Sequence, residues 1–217
     1  MCREALLHAD VVELFHTESQ TELLELAIGR TRVTTVSDEV MMRLSDASTP
    51  QGVIAVVRTP SLDGPIPALG PLLVLDSVGE PGNVGTLVRT AAAFGVPVVS
   101  IDGADPFGPK AVRASAGSCY LTPIHRRRGT DVTNAELRGD GRLLFGLAAD
   151  GGTLLADAVN DLTTRNAVLM LGSEPRGLAA SAQHSLDQLL RIPMVPNVES
   201  LNVAAAGAIA LHALMSE

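Results

Sequence analysis

Leu72-Leu-Val-Leu-Asp-Ser-Val-Gly-Glu-Pro-Gly-Asn-Val-Gly-Thr-Leu-Val-Arg-Thr90 is the stretch that decides the fold class. Leu72 to Leu75 is an uninterrupted apolar run, short enough for a buried strand. Asp76 to Gly82 has turn composition. Beyond it Val84, Leu87, Val88 and Ala91 recur at helical spacing as far as Phe94, and Val96 to Ile101 reads as the next strand. Strand, turn, helix and strand in this order predict a βαβ unit, and hence a largely parallel α/β sheet. Leu143–Ala148, Ala167–Leu171 and Gln188–Ile192 supply further strands, and the small-residue run from Leu201 to Met215 supplies a buried helix.

The glycines of the turn invite a dinucleotide-binding reading, because Asp102 ends the next strand about twenty residues on, where the ribose-binding acid of that motif falls. The spacing argues against it. Gly79, Gly82 and Gly85 stand at GxxGxxG, whereas close backbone approach to a pyrophosphate needs GxGxxG, and Pro81 removes an N–H from the turn. A P-loop is excluded: no GxxxxGK[ST] occurs, and the single lysine, Lys110, lies elsewhere.

Upstream, Thr59 to Pro71 holds four prolines and two glycines and reads as a linker. Ahead of it, residues 1–58 show short strands at Val11–Phe15, Val33–Val36 and Val53–Val57 and helices at Glu18–Ile28 and Ser37–Leu44. Ser37 is placed to cap the second helix. The expected organisation is therefore a small domain over 1–58, a linker over 59–71 and a larger α/β domain over 72–217.

A net charge of −8 argues against indiscriminate nucleic-acid binding, which needs a broadly basic surface. Basic residues concentrate in one window. Between Pro109 and Arg142, seven cations (Lys110, Arg113, Arg126, Arg127, Arg128, Arg138, Arg142) meet three acids (Asp131, Glu136, Asp140). Residues 1–58 are the reverse, with nine acids against five arginines. Aromatic residues are too scarce, at 2%, for a base-stacking sheet. Two cysteines, Cys2 and Cys119, make no disulfide framework, and the sequence carries no apparent signal peptide, which points to a cytoplasmic protein. No apolar run is long enough for a membrane span. The histidines at 8, 16, 125, 184 and 212 lack metal-ligand spacing, so no metal is expected.

Two further motifs follow the first. In Leu169-Met-Leu-Gly-Ser-Glu-Pro-Arg-Gly-Leu178 an apolar strand ends at Gly172, and Glu174 stands where strand carboxyl ends face the ligand crevice of an α/β sheet. Taken alone it also reads as a capped loop. In Ile192-Pro-Met-Val-Pro-Asn-Val-Glu-Ser-Leu-Asn-Val203 two prolines forbid regular structure and leave backbone groups to meet a ligand. Ser200 and Asn202 then open the last helix, where a plain N-cap is the other reading.

In this order the three motifs resemble those of the SpoU/TrmH family of SPOUT RNA 2′-O-ribose methyltransferases. Glu80 to Gly95 looks like its first motif, Gly172 to Leu178 its second, and Ile192-Pro-Met with Ser200-Leu-Asn-Val203 its third; Asp105 to Ser118 is similar to the family's linking segment. Ser173 and Pro175-Arg176 depart from the usual second motif. The resemblance implies a parallel-sheet SPOUT domain with a deep trefoil knot, S-adenosyl-L-methionine as cofactor, and a homodimer in which the first motif of one subunit completes the other's site. Residues 1–58 are similar to the L30e-like RNA-binding domain of family members, from its first helix onward, so a truncated domain is expected.

The site residues carried over are Arg89, Asn83, Glu174, Ser200 and Asn202 for catalysis, and Leu171, Gly172, Ile192, Met194 and Leu201 for the cofactor. Lys110, Arg113, Arg126, Arg127 and Arg128 are expected to bind RNA. Arg89 corresponds to the arginine at the family's reaction centre. A guanidinium stays protonated at neutral pH, which favours stabilising the developing alkoxide over accepting a proton. Ribosomal RNA is the expected substrate. Transfer RNA, or a non-catalytic RNA-binding role, stands as the alternative.

Overall fold

The computed structural model describes residues 1–18, 21–150, 152–158, 166–173 and 177–215. The chain divides into two units, Met1–Ser61 and Leu62–Glu217.

The first unit runs α1 (Cys2–His8), β1 (Val11–His16), α2 (Thr21–Ala27), β2 (Arg32–Thr35), α3 (Asp38–Leu44) and β3 (Val53–Val57). β1 is the middle strand, parallel to β2 and antiparallel to β3. Leu14 at its centre and Met41 of α3 are buried, together with Ala5 and Leu6 of α1. α3 begins as its sequence predicts. The Ser37 hydroxyl accepts from Val40 N at 3.3 Å, and Asp38 and Glu39 occupy the first turn, where the helix dipole favours acids.

The second unit runs β4 (Leu72–Asp76), α4 (Pro81–Ala93), β5 (Val98–Ile101), α5 (Pro109–Ala114), a 3₁₀ turn at Ser118–Tyr120, β6 (Ile124–Arg127), α6 (Thr130–Gly139), β7 (Leu143–Leu147), β8 (Thr153–Leu154), β9 (Ala167–Leu171), α7 (Ala180–His184), β10 (Gln188–Arg191) and α8 (Val203–Leu214). Its sheet has the order β6-β5-β4-β9-β7-β10-β8, and every neighbouring pair is parallel. All carboxyl ends therefore share one edge. The period-two alternation of strands sorts side chains onto two covered faces. Leu73 and Leu75 of β4 and Leu169 and Leu171 of β9 pack with Leu87 and Val88 of α4 and Leu211 of α8. Leu72, Val74, Val168 and Met170 pack on the opposite face with Leu137 of α6 and Leu178.

Several sequence expectations change. β5 pairs only from Val98; Pro97 offers no N–H, although its carbonyl accepts from Leu73 N at 3.0 Å. The cations of the basic window do not share one environment. The window contains β6, α5 and α6, and Arg142 is buried at 2% exposure, its guanidinium donating to Gly70 O at 2.5 Å and to Pro67 O. Burial lowers the Arg142 pKa, outweighing the opposing attraction of Asp140. The stretch 59–71 lacks helix and strand, but from Leu62 onward it is strapped to the second unit. Leu62 and Ile66 enter the two core clusters, and Leu62 O accepts from Arg126 N at 2.8 Å. The break thus falls at Ser61, and most of the presumed linker is part of the larger unit.

Candidate active site

The first motif becomes the turn after β4 and the first half of α4. Glu80 caps the helix, accepting from Gly82 N at 3.3 Å, and Pro81 occupies the opening position that spares a missing N–H. Lys110 Nζ donates to the same Glu80 oxygen at 2.6 Å. That hydrogen bond, reinforced by the Gly82 N–H, holds the Glu80 carboxyl below its ordinary range. Gly85 lets α5 cross close by: a Cβ there would lie 2.6 Å from Ala114 Cβ and 2.9 Å from Ser115 N. Gly207 does the same for α8, which rests on Leu87 and Leu171. Gly207 thus serves packing within the chain.

A cavity of about 340 Å³ opens at the carboxyl ends of β7, β9 and β10. All five residues expected to hold a cofactor line it: Leu171, Gly172, Ile192, Met194 and Leu201. Ser200 and Asn202 line it as well. Residues 192–202 contain neither helix nor strand, as their prolines require. Gly172 is sterically obligatory, since a Cβ would enter the backbone of Gly177 and Leu178. Gly177, at φ +63°, donates its N–H to Ser173 O at 2.7 Å. Glu174, Pro175 and Arg176 lie outside the described residues.

Sequence reading missed the opposite wall, Leu147, Ala148 and Ala149 at the end of β7, along with Ser173, Gly177, Val203 and Ala206. The usable signal was β7 itself. Once it is parallel to β9, its carboxyl end must share the crevice.

Asn83 reaches the cavity's rim indirectly, its Oδ1 accepting from the Asn202 side-chain amide at 3.1 Å. Arg89 does not line the cavity. It is exposed on α4, with no hydrogen bond or ion pair among the described residues. The expected RNA-binding cations also differ from one another. Lys110 is paired with Glu80, and Arg126 with Asp105 at 2.7 Å. Arg127, only 17% exposed, forks onto Glu136 at 2.9 and 3.0 Å, an interaction that raises the Arg127 pKa and lowers that of Glu136. Arg113 and Arg128 are exposed.

The cavity has the size of a small-molecule site. No lining side chain among the described residues is charged, and apolar faces alternate with backbone from an irregular loop. Such walls suit a flat, uncharged ring system held by main-chain hydrogen bonds, and the adenosyl part of S-adenosylmethionine fits that description. No group of three His, Cys, Asp or Glu placed to hold a metal occurs among the described residues. No helix among them is long and apolar enough to cross a membrane.

An all-parallel α/β sheet with its cavity walled by the loops after β7, β9 and β10 and by the entrance to α8 defines the class, that of the SPOUT-type RNA methyltransferases. The chain belongs to the SpoU rRNA methylase family, whose pattern its residues 70–212 match, while residues 1–62 match the RNA 2′-O ribose methyltransferase substrate-binding domain. It is 32% identical over 181 residues to the 23S rRNA (guanosine(2553)-2′-O)-methyltransferase RlmP of Bacillus subtilis, covering 82% of this chain and 71% of that protein. Among solved structures it resembles an RNA methyltransferase of the TrmH family from Porphyromonas gingivalis, with TM-score 0.85, 34% identity, and 97% and 84% of the two chains covered. An AdoMet-bound rRNA methyltransferase from Sinorhizobium meliloti matches with TM-score 0.82 and 26% identity, over 98% and 82% of the chains.

Proposed function

We propose that this chain methylates a ribose 2′-hydroxyl of ribosomal RNA, of the large-subunit type, using S-adenosylmethionine held in the β7–β9–β10 cavity. The observation that carries this reading is the convergence of the second and third motifs on one cavity whose described lining carries no charge, with the first motif tied to it through Asn83 and Asn202. Gly172, Ile192 and Leu201 offer backbone to the adenosyl part, while Leu171 and Met194 give it apolar walls. Bound there, the cofactor supplies an electrophilic methyl group on its sulfonium sulfur. The chain's part is to bring the hydroxyl to that methyl and to stabilise charge on the oxygen as its proton passes to solvent water.

Arg89 carries that second task. A guanidinium stays protonated at neutral pH, so it stabilises the alkoxide and grips the adjoining phosphate. Asn83, oriented by Asn202, positions the ribose, and Ser200 and Glu174 hold the methionine end or the ribose. Arg89 is exposed and apart from the cavity of its own chain, which fits service in the cavity of a second copy. A homodimer through the knotted domain is accordingly part of the reading. Ile209, 44% exposed on α8, supplies apolar surface for it. A trefoil knot around the cavity loops and a cytoplasmic location complete the reading.

The test is transfer from tritiated S-adenosylmethionine to total rRNA and, separately, total tRNA from a methylation-deficient host, with ribose methylation mapped by resistance to alkaline cleavage. A new resistant site in rRNA that disappears in Arg89→Ala supports the reading. A site in tRNA alone replaces the substrate, and absence of both transfer and cofactor binding overturns the enzyme. Arg89→Lys probes the geometry: unimpaired turnover removes the bidentate role.

A further inference from the structure

The geometry points to Arg128 as the one member of the Arg126–Arg128 run that grips an RNA phosphate, on a turn held in position by Asp102 and Asp76. This rests on RNA being the substrate, as proposed above.

The three consecutive arginines have three different fates. Arg126 donates to Asp105 at 2.7 Å. Arg127 uses every nitrogen internally: Nε and Nη2 meet Glu136, Nη1 meets Arg126 O at 2.9 Å, and Nη2 also meets Gly64 O at 3.1 Å. Arg128 is exposed, with no hydrogen bond or ion pair among the described residues. Its guanidinium fork remains available to a planar oxyanion such as phosphate.

The turn that presents it is built. Gly129, at φ +75°, donates its N–H to Asp102 Oδ2 at 2.9 Å. Thr130 Oγ donates to Asp76 Oδ1 at 2.8 Å, and Asp76 is buried at 4% exposure and also receives Ser77 Oγ at 3.2 Å. Asp102 itself adopts φ +46° and Ser77 φ +58°, left-handed conformations that cost energy in a non-glycine residue and persist only where surroundings impose them. Two adjacent strand ends, β4 and β5, thus each give a carboxylate to fasten the turn after the edge strand β6.

Location assigns the ligand. Because the sheet is wholly parallel, the β6 end lies on the same edge as the cavity. Three strand spacings separate β6 from β9, about 14 Å at the usual inter-strand distance. That span lets Arg128 reach a backbone phosphate a short way along the strand whose target ribose lies at the cavity. A single fixed arginine among carboxylates adds little indiscriminate affinity, and it selects where the backbone runs.

The experiment measures binding of the full chain to an unmodified 23S rRNA transcript across a salt series, with melting temperature followed for each variant. Arg128→Ala is expected to make the slope of log K against log salt shallower by about 0.7–0.9, the loss of one phosphate contact. Arg128→Lys should keep the slope, and Arg126→Ala should leave it unchanged. Asp102→Asn and Asp102→Gly change the charge equally and both tolerate a positive φ, but only asparagine retains an acceptor for Gly129 N. Asp102→Gly should therefore bind several-fold more weakly than Asp102→Asn. An unchanged slope in Arg128→Ala, an equal loss in Arg126→Ala, or equal binding by the two Asp102 variants overturns the assignment. These readouts need no turnover, so failure of methyl transfer would count against the proposed function alone.

Discussion

Asn202 joins two elements with one side chain: its amide nitrogen donates to Asn83 Oδ1 on α4 at 3.1 Å, while its Oδ1 accepts from Ala204 N at 2.9 Å and caps α8. The cap fixes which way the amide faces, so the Asn83 contact follows from a helix-capping requirement. Asn202→Ser retains a good cap, which spares the ~1 kcal/mol that losing it would cost. It is too short to reach Asn83. This variant should melt close to wild type and lose at least tenfold in methyl transfer, and full activity would refute the coupling.

Gly172→Ala puts a methyl group into the backbone of Gly177 and Leu178. The second-motif loop must open to admit it, which deforms one wall of the cavity. Titration calorimetry with S-adenosylmethionine should show at least tenfold weaker binding in a protein that still folds. Unchanged affinity would mean the loop yields without consequence for the site.

Two other glycines separate backbone collisions from side-chain ones. A Cβ at Gly85 meets Ala111 O and Ser115 N, whereas the close contacts of one at Gly207 are the methyl ends of Leu87 and Leu171. Leucine tips rotate and a helix backbone does not. Urea unfolding should show Gly85→Ala destabilised by about 1–3 kcal/mol, the range for overpacking, and Gly207→Ala by less.

The Arg127–Glu136 fork makes a pH prediction. Arg127 lowers the Glu136 pKa in the folded protein. Its stabilisation is therefore complete above the ordinary glutamate value, about 4.3. It fades as pH falls through the depressed folded value. Glu136 is 40% exposed, so solvent screening holds the effect to about 1 kcal/mol or less. The stability difference between wild type and Glu136→Gln should be present at pH 7 and vanish in acid. A difference that persists below pH 3 would place its origin outside this pair.

Much of the site was legible because its chemistry is local in sequence. Gly172 follows a strand, Ile192 follows another, and Leu201 precedes a helix, so a parallel sheet brings their ends together with no further information. The β6 strand was not legible: Ile-His-Arg-Arg has no apolar alternation, and the fold tolerates it only at a sheet edge. Nor could charge counting sort the basic window. Arg142 looks like Arg128 in sequence, yet one is buried against the carbonyls of Pro67 and Gly70 and the other faces solvent. Partners distant in sequence decide such fates, and periodicity carries no trace of them.

The pairing of Leu72 with Val168 bears on how the molecule comes into being. β4 leaves the ribosome early and can pair with β5 at once, but its other edge stays open until β9 has been translated. An apolar strand with a bare edge is a template for association with other chains. Contacts this far apart in sequence also form slowly. Synthesis halted before Ala167 thus leaves this interior strand half-dressed, and nascent chains, far more than finished ones, carry the risk of aggregation.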